Sequence, residues 1–363
     1  MNAHSKTTIH VVQHLAPGGL ETLALNMLEF ANPSHNVLIV SLEGAREKSL
    51  ANWPKLETIK DKIVFLDKPS GHSLRTVYQL YRLFRTLKPT VVHSHHIGPI
   101  IYGAVAAKLA GVNTRIHTEH DAWHLDNPKH RYLQRIAMWL AKPRMVADAN
   151  LVKQQFQRYF AYKDVNVIKN GIDCEQFTTG SKHLARQVMG LPVGVTIIGS
   201  AGRLETVKGH DTLIDAMPLL PNHIQLVIAG NGSQKEALQA KVKQLGLNSR
   251  VTFLGLVNDM PRFYQSLDLF CLPSRCEGFP LSTLEAQSCD VVTLASDVGA
   301  TNETLCPRTG QLFERESPQA LAQCVLNAIE NQQTHSPREF VLQNNDIRQM
   351  MRAYELLAEE KIA

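Results

Sequence analysis

An α/β protein of two Rossmann-like units, each a doubly wound parallel sheet with helices on both faces, is the fold class that three observations predict. Short apolar runs alternate with amphipathic helical stretches along the chain. The alternation pauses near 170–190 and restarts at Val195. At 363 residues the chain has the length of two ordinary domains. The expected organisation is residues 1–170, then 171–345, and a last helical segment, 346–363. Two such halves should face a central cleft, because open α/β sheets bind ligands beyond the carboxyl ends of their strands.

The elements follow from periodicity. Residues 9–13 form a short apolar strand and 20–30 an amphipathic helix. Residues 37–42 and 62–66 read as strands, and 73–88 as a helix with Leu74, Val77, Leu80, Tyr81 and Phe84 on one stripe. Further strands are expected at 91–93, 115–118, 145–149 and 166–168, separated by helices near 98–110, 130–141 and 151–160. In the second half the strands are 195–200, 224–229, 251–254, 269–272 and 291–294.

Composition narrows the class. The apolar share, 44%, supports sizeable cores, and the N-terminus runs straight into a strand without a signal-peptide layout. The longest apolar stretch, 99–107, is too short to span a bilayer. The expectation is a cytoplasmic protein. Six cysteines, from Cys174 to Cys324, form no C-x-x-C pair, which argues for free structural thiols and against zinc. Residues 1–170 carry 22 Lys and Arg against 12 Asp and Glu, whereas the whole chain is only +5. A basic half beside an acidic half points to an anionic partner of the first. An anionic membrane surface or a diphosphate-linked acceptor fits. Without an RNA- or DNA-binding motif, no nucleic acid is expected.

The chemistry-bearing segments lie at strand ends. Glu277-Gly-Phe-Pro-Leu-Ser-Thr-Leu-Glu285 follows the 269–272 strand, with a helix expected from about Pro280. That puts Glu277 in the loop and Glu285 about a turn and a half into the helix, beside the amides of Gly278 and Phe279. Two carboxylates at a helix start suit a polyhydroxy ligand bearing a phosphate. Bare E-x7-E is more often a pair of solvated acids, so the surrounding residues decide. Arg203 and Lys208, in Gly202-Arg-Leu-Glu-Thr-Val-Lys-Gly209, sit in a strand-to-helix loop where a fork and a point charge can grip two phosphates. Gly18-Gly19-Leu20-Glu21 and Gly230-Asn231-Gly232 are further glycine-rich turns after strands, each an ordinary tight turn when read alone. His93-Ser-His95-His96 and His117-Thr-Glu-His120-Asp121 end two strands of the first half. For His93, His96 and His117 a packed or partly exposed ring with a satisfied hydrogen bond is the better reading, and no carboxylate or cysteine spacing supports a definite metal site. Asn170-Gly171-Ile172-Asp173 closes the first half as a turn and a candidate hinge.

Taken in order, these blocks (Gly18-Gly19-x-Glu21, His93-x-His95, Thr118-x-His120, Asn170-Gly171-x-Asp173, Arg203-x4-Lys208 and Glu277-x7-Glu285) resemble the retaining, nucleotide-sugar-dependent glycosyltransferases of family 4, over nearly the whole chain. The resemblance implies the two-domain GT-B fold, a last helix (346–363) that crosses back to the first domain, and transfer of a sugar from a nucleotide diphosphate sugar. It assigns Gly18, Gly19, Arg203 and Lys208 to the donor diphosphate and Asn231 to the nucleotide base. Gly278, Phe279 and Pro280 fall in the donor loop, with Glu277 on the sugar hydroxyls and Glu285 on the ribose. His120 is assigned to the reacting sugar and His95 to the acceptor side. No metal and no cofactor beyond the nucleotide sugar is implied. Two departures stand out. Where the family has Ala-x-Ala-x-Gly-x-Pro-Val, this chain has Ala286-Gln-Ser-Cys-Asp290-Val-Val, and Val298-Gly-Ala-Thr-Asn-Glu303 follows the family's G-G-x-x-E turn loosely.

The expected function is therefore a retaining hexosyltransferase acting on a glycan or lipid-linked acceptor in surface polysaccharide or lipopolysaccharide biosynthesis. The basic helix at 73–88 raises the alternative of peripheral contact with the inner face of an anionic membrane. Two other readings remain open at this point: a nucleotide-sugar 2-epimerase of the same architecture, and an inactive glycan- or nucleotide-binding subunit.

Overall fold

The computed structural model describes residues 6–121, 123–331 and 335–360. The chain divides into two compact units. One takes the chain up to Gly171 and again from Ile347, and the other is Ile172–Asp346.

Seven strands build the first unit: β1 (Thr7–Val12), β2 (Asn36–Ser41), β3 (Ile63–Phe65), β4 (Val91–His95), β5 (Thr114–Glu119), β6 (Arg144–Ala147) and β7 (Val165–Val167). They pair in parallel in the order β3-β2-β1-β4-β5-β6-β7. Helices cover both faces, so the strands are buried on both sides, with Ile9, Val11 and Val12 all fully buried. The order reverses between β1 and β4, and the carboxyl ends of these strands diverge there into a crevice. Gly18 and Gly19 follow β1, His96 follows β4, and His120 follows β5.

Local signals set the helix ends. Ser73 accepts a hydrogen bond from the Thr76 amide and starts the Leu74–Leu87 helix, and Lys88 closes it in the left-handed conformation. That helix buries Leu80 and Phe84 but leaves Leu74 and Tyr78 exposed, so its aromatics divide between core and surface. The single helix expected at 98–110 is instead three pieces: Ile97–Pro99, a π-helical turn Ile100–Ala104, and Val105–Leu109. Gly103 lies in the π-helical turn and packs closely on β1: a Cβ there would meet the Val11 side chain at 3.1 Å.

The helix Ile347–Glu359 completes the first unit's core. Ile347, Met350, Met351, Tyr354 and Leu357 join Leu23, Met27, Val91, Ile116 and Val146 in one apolar cluster. Each large side chain buried there stabilises by roughly 1.5–3 kcal/mol. The Tyr354 hydroxyl lies 2.9 Å from Thr118 Oγ1, and Lys6 pairs with Glu359 at 2.7 Å.

The second unit repeats the plan with β8 (Thr196–Ala201), β9 (Ile224–Ala229), β10 (Val251–Gly255), β11 (Leu269–Leu272), β12 (Val292–Ser296) and β13 (Gln311–Phe313). The parallel order is β10-β9-β8-β11-β12-β13, which reverses between β8 and β11. β13 was not expected: three residues are too few to show a period, and only Phe313 is buried. Asp290 takes φ 67°, the left-handed position that a glycine would otherwise fill. All six cysteines are free thiols. No helix among the described residues is long and apolar enough to cross a membrane.

Candidate functional site

The second unit's chemistry gathers at the carboxyl ends of β8, β9, β11 and β12. Four loops meet there, backbone against backbone. An added Cβ on Gly230 would lie 1.9 Å from the Gly202 carbonyl oxygen, one on Gly209 2.0 Å from that of Pro273, and one on Gly299 1.7 Å from that of Glu277. Only glycine permits such approach, and Gly230, Gly209 and Gly299 also have positive φ. Hydrogen bonds lock the loops together: Leu204 N–H to the Asn231 carbonyl, Arg275 N–H to Val207, and Ala300 N–H to Gly278. The Val298–Glu303 turn, which follows its family pattern only loosely, is thus seated directly on the Glu277–Gly278 segment.

Within that frame the expected charges find partners. Lys208 Nζ donates to Glu277 Oε1 at 2.6 Å, and Ser274 Oγ donates to the same oxygen at 2.6 Å. Glu277 is 9% exposed, so the pair is desolvated enough to matter and still reachable. An ammonium carries three donors, so Lys208 can keep Glu277 and take a phosphate oxygen as well. Arg203 stays exposed, and its charge helps Ser233 hold the Glu205 carboxyl low. Asn231 is likewise exposed, at the tip of its turn. Phe279 and Pro280 are buried at the start of the Leu281–Ser288 helix. Glu285 Oε2 accepts from the Tyr264 hydroxyl at 2.7 Å, and burial pushes the Glu285 carboxyl up against that bond. Arg275 braces the whole arrangement. It reaches both Asp211 oxygens at 2.9 and 2.8 Å, Glu316 at 2.6 Å and the Thr206 carbonyl at 2.6 Å.

The first unit carries histidines where the second carries glycines and ion pairs. His95 is 1% exposed and stands in a chain: its Nε2 is 3.2 Å from His10 Nδ1, and its Nδ1 is 3.1 Å from His120 Nε2. His120 Nδ1 then faces Asp148 Oδ2 at 3.4 Å, and Asn170 Nδ2 donates to that same oxygen at 2.9 Å. Burial lowers His10 to about 4 and His95 well below the ordinary range, so both are neutral. Burial also raises Asp148 to about 6, against the pull of His120 and Asn170. Both ring nitrogens of His95 are thus engaged inside the unit. His120 has one nitrogen on His95 and the other facing Asp148, with 8% of its surface exposed.

Other expected residues are placed as follows. Gly18 precedes the Gly19–Glu29 helix, and a Cβ on it would lie 2.3 Å from Glu21 Oε2, while Gly19 has open space. Glu21 pairs with His14 at 3.2 Å. His93 donates to or accepts from Thr118 Oγ1 at 2.7 Å, the packed-ring outcome. His96 is partly exposed, with Nε2 3.0 Å from Asp121 Oδ2. Sequence reasoning missed His10, Asp148 and His124. His10 gave no signal, since its register opposite His93 is a property of the sheet. Asp148 and His124 had weak ones: a lone acid just past an apolar strand, and the three-residue spacing from Asp121.

Two family models match the chain. The one described as Glycosyltransferase Family 4 matches residues 17–176, and the one described as Glycosyl transferases group 1 matches residues 181–344. A UDP-Gal:alpha-D-GlcNAc-diphosphoundecaprenol alpha-1,3-galactosyltransferase of Escherichia coli is 28% identical over 63% of this chain and 63% of its own length. The lipopolysaccharide core biosynthesis mannosyltransferase LpsB of Rhizobium meliloti is 36% identical over 40% of this chain and 45% of its own. The matches thus span less than two thirds of these relatives. Among solved structures, Anabaena HepE in complex with UDP aligns with TM-score 0.83 at 22% identity, covering 98% of this chain and 100% of that one. WaaG, a glycosyltransferase involved in lipopolysaccharide biosynthesis, aligns with TM-score 0.73 at 15% identity, covering 98% of this chain and all of its own. At these identities the structures attest the fold. With both models matched in order and the fold shared end to end, the chain belongs to the GT-B glycosyltransferases of the group 1, family 4 type.

Proposed function

We propose that this protein moves a hexose from a nucleoside diphosphate sugar to a glycan or lipid-linked acceptor, with retention of configuration, in surface polysaccharide or lipopolysaccharide assembly. The observation that carries the reading is the Lys208–Glu277 contact, held in a glycine-packed set of loops at the second unit's strand-order reversal. Arg203 and Lys208 would take the diphosphate and stabilise the charge it gains on leaving. Glu277 would hold the sugar hydroxyls as the ring becomes oxocarbenium-like, and Glu285 the ribose. Gly278, Phe279 and Pro280 would shape the donor loop, and Asn231 would lie by the base. Gly18 and Gly19 would let a phosphate approach the backbone. His120 would contact the reacting sugar, and His95 would lie on the acceptor side. No protein nucleophile is assigned. The cations make a divalent ion on the diphosphate unnecessary, and no further cofactor is invoked.

Acceptors named for relatives support a lipid-linked substrate here: the Escherichia coli relative is named for diphosphoundecaprenol. Peripheral contact with an anionic bilayer at its cytoplasmic face belongs to the same reading. The Leu74–Leu87 helix has no acidic residue, carries Arg75, Arg82 and Arg85, and exposes Leu74 and Tyr78.

The deciding experiment is a panel of nucleotide sugars with and without membrane-extracted lipid diphosphate acceptors, read by product mass. Transfer with an α-linked product from an α-linked donor is expected. An epimerised donor formed without acceptor, or nucleotide-sugar binding with no turnover, would overturn the assignment.

A further inference from the structure

We propose that His96, Asp121 and His124 form a divalent-cation site at the carboxyl ends of β4 and β5, distinct from the donor loops of the second unit. Asp121 stands between the two rings. Its Oδ2 is 3.0 Å from His96 Nε2, its Oδ1 is 3.2 Å from His124 Nδ1, and the three ligand atoms all lie within 4.8 Å of one another. Tetrahedral bonds of zinc to nitrogen and oxygen require ligand atoms about 3.3 Å apart. The observed spacing needs little side-chain rotation to match.

The groups behind the ligands specify the tautomer. Gln134 Nε2 donates to Glu119 Oε2 at 2.5 Å, and a carboxylate only accepts, so the amide orientation is set. Gln134 Oε1 therefore points at His124 Nε2, 3.0 Å away, and must receive its N–H. In the neutral ring the remaining nitrogen, Nδ1, bears a lone pair, and it faces the Asp121 carboxylate. Two acceptors so close need a cation between them, a proton or a metal ion. A ligating histidine whose other N–H goes to an amide or carboxylate is the usual support of a metal site. Glu119 supplies more: it is fully buried, its Oε1 has no hydrogen-bond partner, and that oxygen is 3.8 Å from His124 Nε2. Asp121 and Glu119 together balance a 2+ charge.

The backbone is also committed. His96 has φ 73° and ψ 173°, a region populated almost only by glycine, and is held there by its amide on the Thr118 carbonyl at 3.2 Å. That strain aims the ring at Asp121. Side-chain exposures of 29, 14 and 9% for His96, Asp121 and His124 leave an entry path and an open coordination position. Two imidazoles and one carboxylate suit Zn²⁺, Co²⁺ or Mn²⁺ rather than Ca²⁺. The other histidine cluster, His10, His93 and His95, has comparable spacing but is sealed, has no anion among its members, and spends nitrogens on Thr118 and His120. It is the poorer host for a dication.

The test uses the full chain, freed of metal by chelation and titrated with Co²⁺ while the visible d–d bands are read. One equivalent with bands of low coordination number is expected. His124→Gln and Asp121→Asn should each weaken Co²⁺ binding at least 10-fold, and Gln134→Leu 10- to 100-fold through the supporting shell. His96→Gly separates ligation from folding: it relieves the backbone, so the melting temperature should hold or rise while Co²⁺ binding falls. No Co²⁺ bound by the parent chain would mean that a proton alone bridges the site. Binding kept in His96→Gly and His124→Gln, or lost in His10→Gln with His93→Gln, would equally overturn the proposal.

Discussion

The two units share a strand order and differ in what they do with their strand ends. At the reversal in the second unit, loops touch through glycine and carbonyl oxygen, and the charges are matched pairs: Lys208 with Glu277, Arg275 with Asp211 and Glu316. At the reversal in the first unit, the polar groups are buried, and His10, His95, His120 and Asp148 form a chain within the interior. One topology therefore supports two electrostatic solutions. The second unit keeps fixed, paired charges at its strand ends. The first keeps rings that burial holds neutral, His10 and His95 among them. Function resides in such sites and not in the sheet that carries them.

The largest expected effect tests the paired charges. Glu277→Gln should cut sugar transfer about 100- to 1,000-fold, the scale of losing one preorganised transition-state contact. Nucleoside diphosphate affinity should stay near that of the parent. Glu285→Gln should do the reverse and weaken the nucleotide. Steady-state kinetics with calorimetry checks both, and a Glu277→Gln enzyme of full rate breaks the comparison at its centre.

Acid should separate the units next. Folded His10 titrates near 4, against about 6.5 in an unfolded chain. Its stabilisation is complete above pH 6.5 and is lost as pH falls to 4, by about 3 kcal/mol. His93, His95 and His117 are lowered in the same direction, while Asp148, raised to about 6, opposes them over part of the range. In the second unit burial lowers His210, also to about 4. All three tryptophans, Trp53, Trp123 and Trp139, lie in the first unit. Tryptophan fluorescence should therefore report acid unfolding at higher pH than the far-ultraviolet signal that both units share. Coincident transitions would refute the contrast.

Arg203→Ala and Lys208→Ala should each weaken nucleoside diphosphate binding by about 1.5–3 kcal/mol, as charge-assisted hydrogen bonds do. The smallest effect is an expected constancy. Excess chelator should leave that affinity unchanged, because side-chain cations take the phosphates. A fall restored by magnesium or manganese would place an ion at the donor site after all.

Much of this was legible in the sequence for one reason: strand ends are where a doubly wound sheet presents ligand groups, and strands are visible as apolar runs. The segment from Glu277 to Glu285 and the loop from Arg203 to Lys208 could be placed because a strand and a helix bracket each. Pairing across the fold was not legible. Lys208 and Glu277 are 69 residues apart, and nothing local says that they touch. Nor did the sequence show that His95 would be spent inside. The register of β4 between β1 and β5 puts its ring, like that of His93, in the interior. The π-helical turn after His96 was hidden too, since Gly103 gives way to Val11, a contact made only in the folded sheet.

The Ile347–Glu359 helix has a consequence for the order in which the molecule is made. Five of its side chains belong to the first unit's apolar cluster. A ribosome that has finished Gly171 has produced every strand of that unit and still lacks this part of its interior. The whole of Ile172–Asp346 must emerge before the missing helix does. The unit that begins first is therefore completed last, and the nascent chain carries an open apolar face past Leu23, Met27 and Ile116 throughout synthesis of its neighbour. Truncation at any point after Asp346 but before Leu357 should leave the second unit sound and the first one sticky, the reverse of the usual vectorial order.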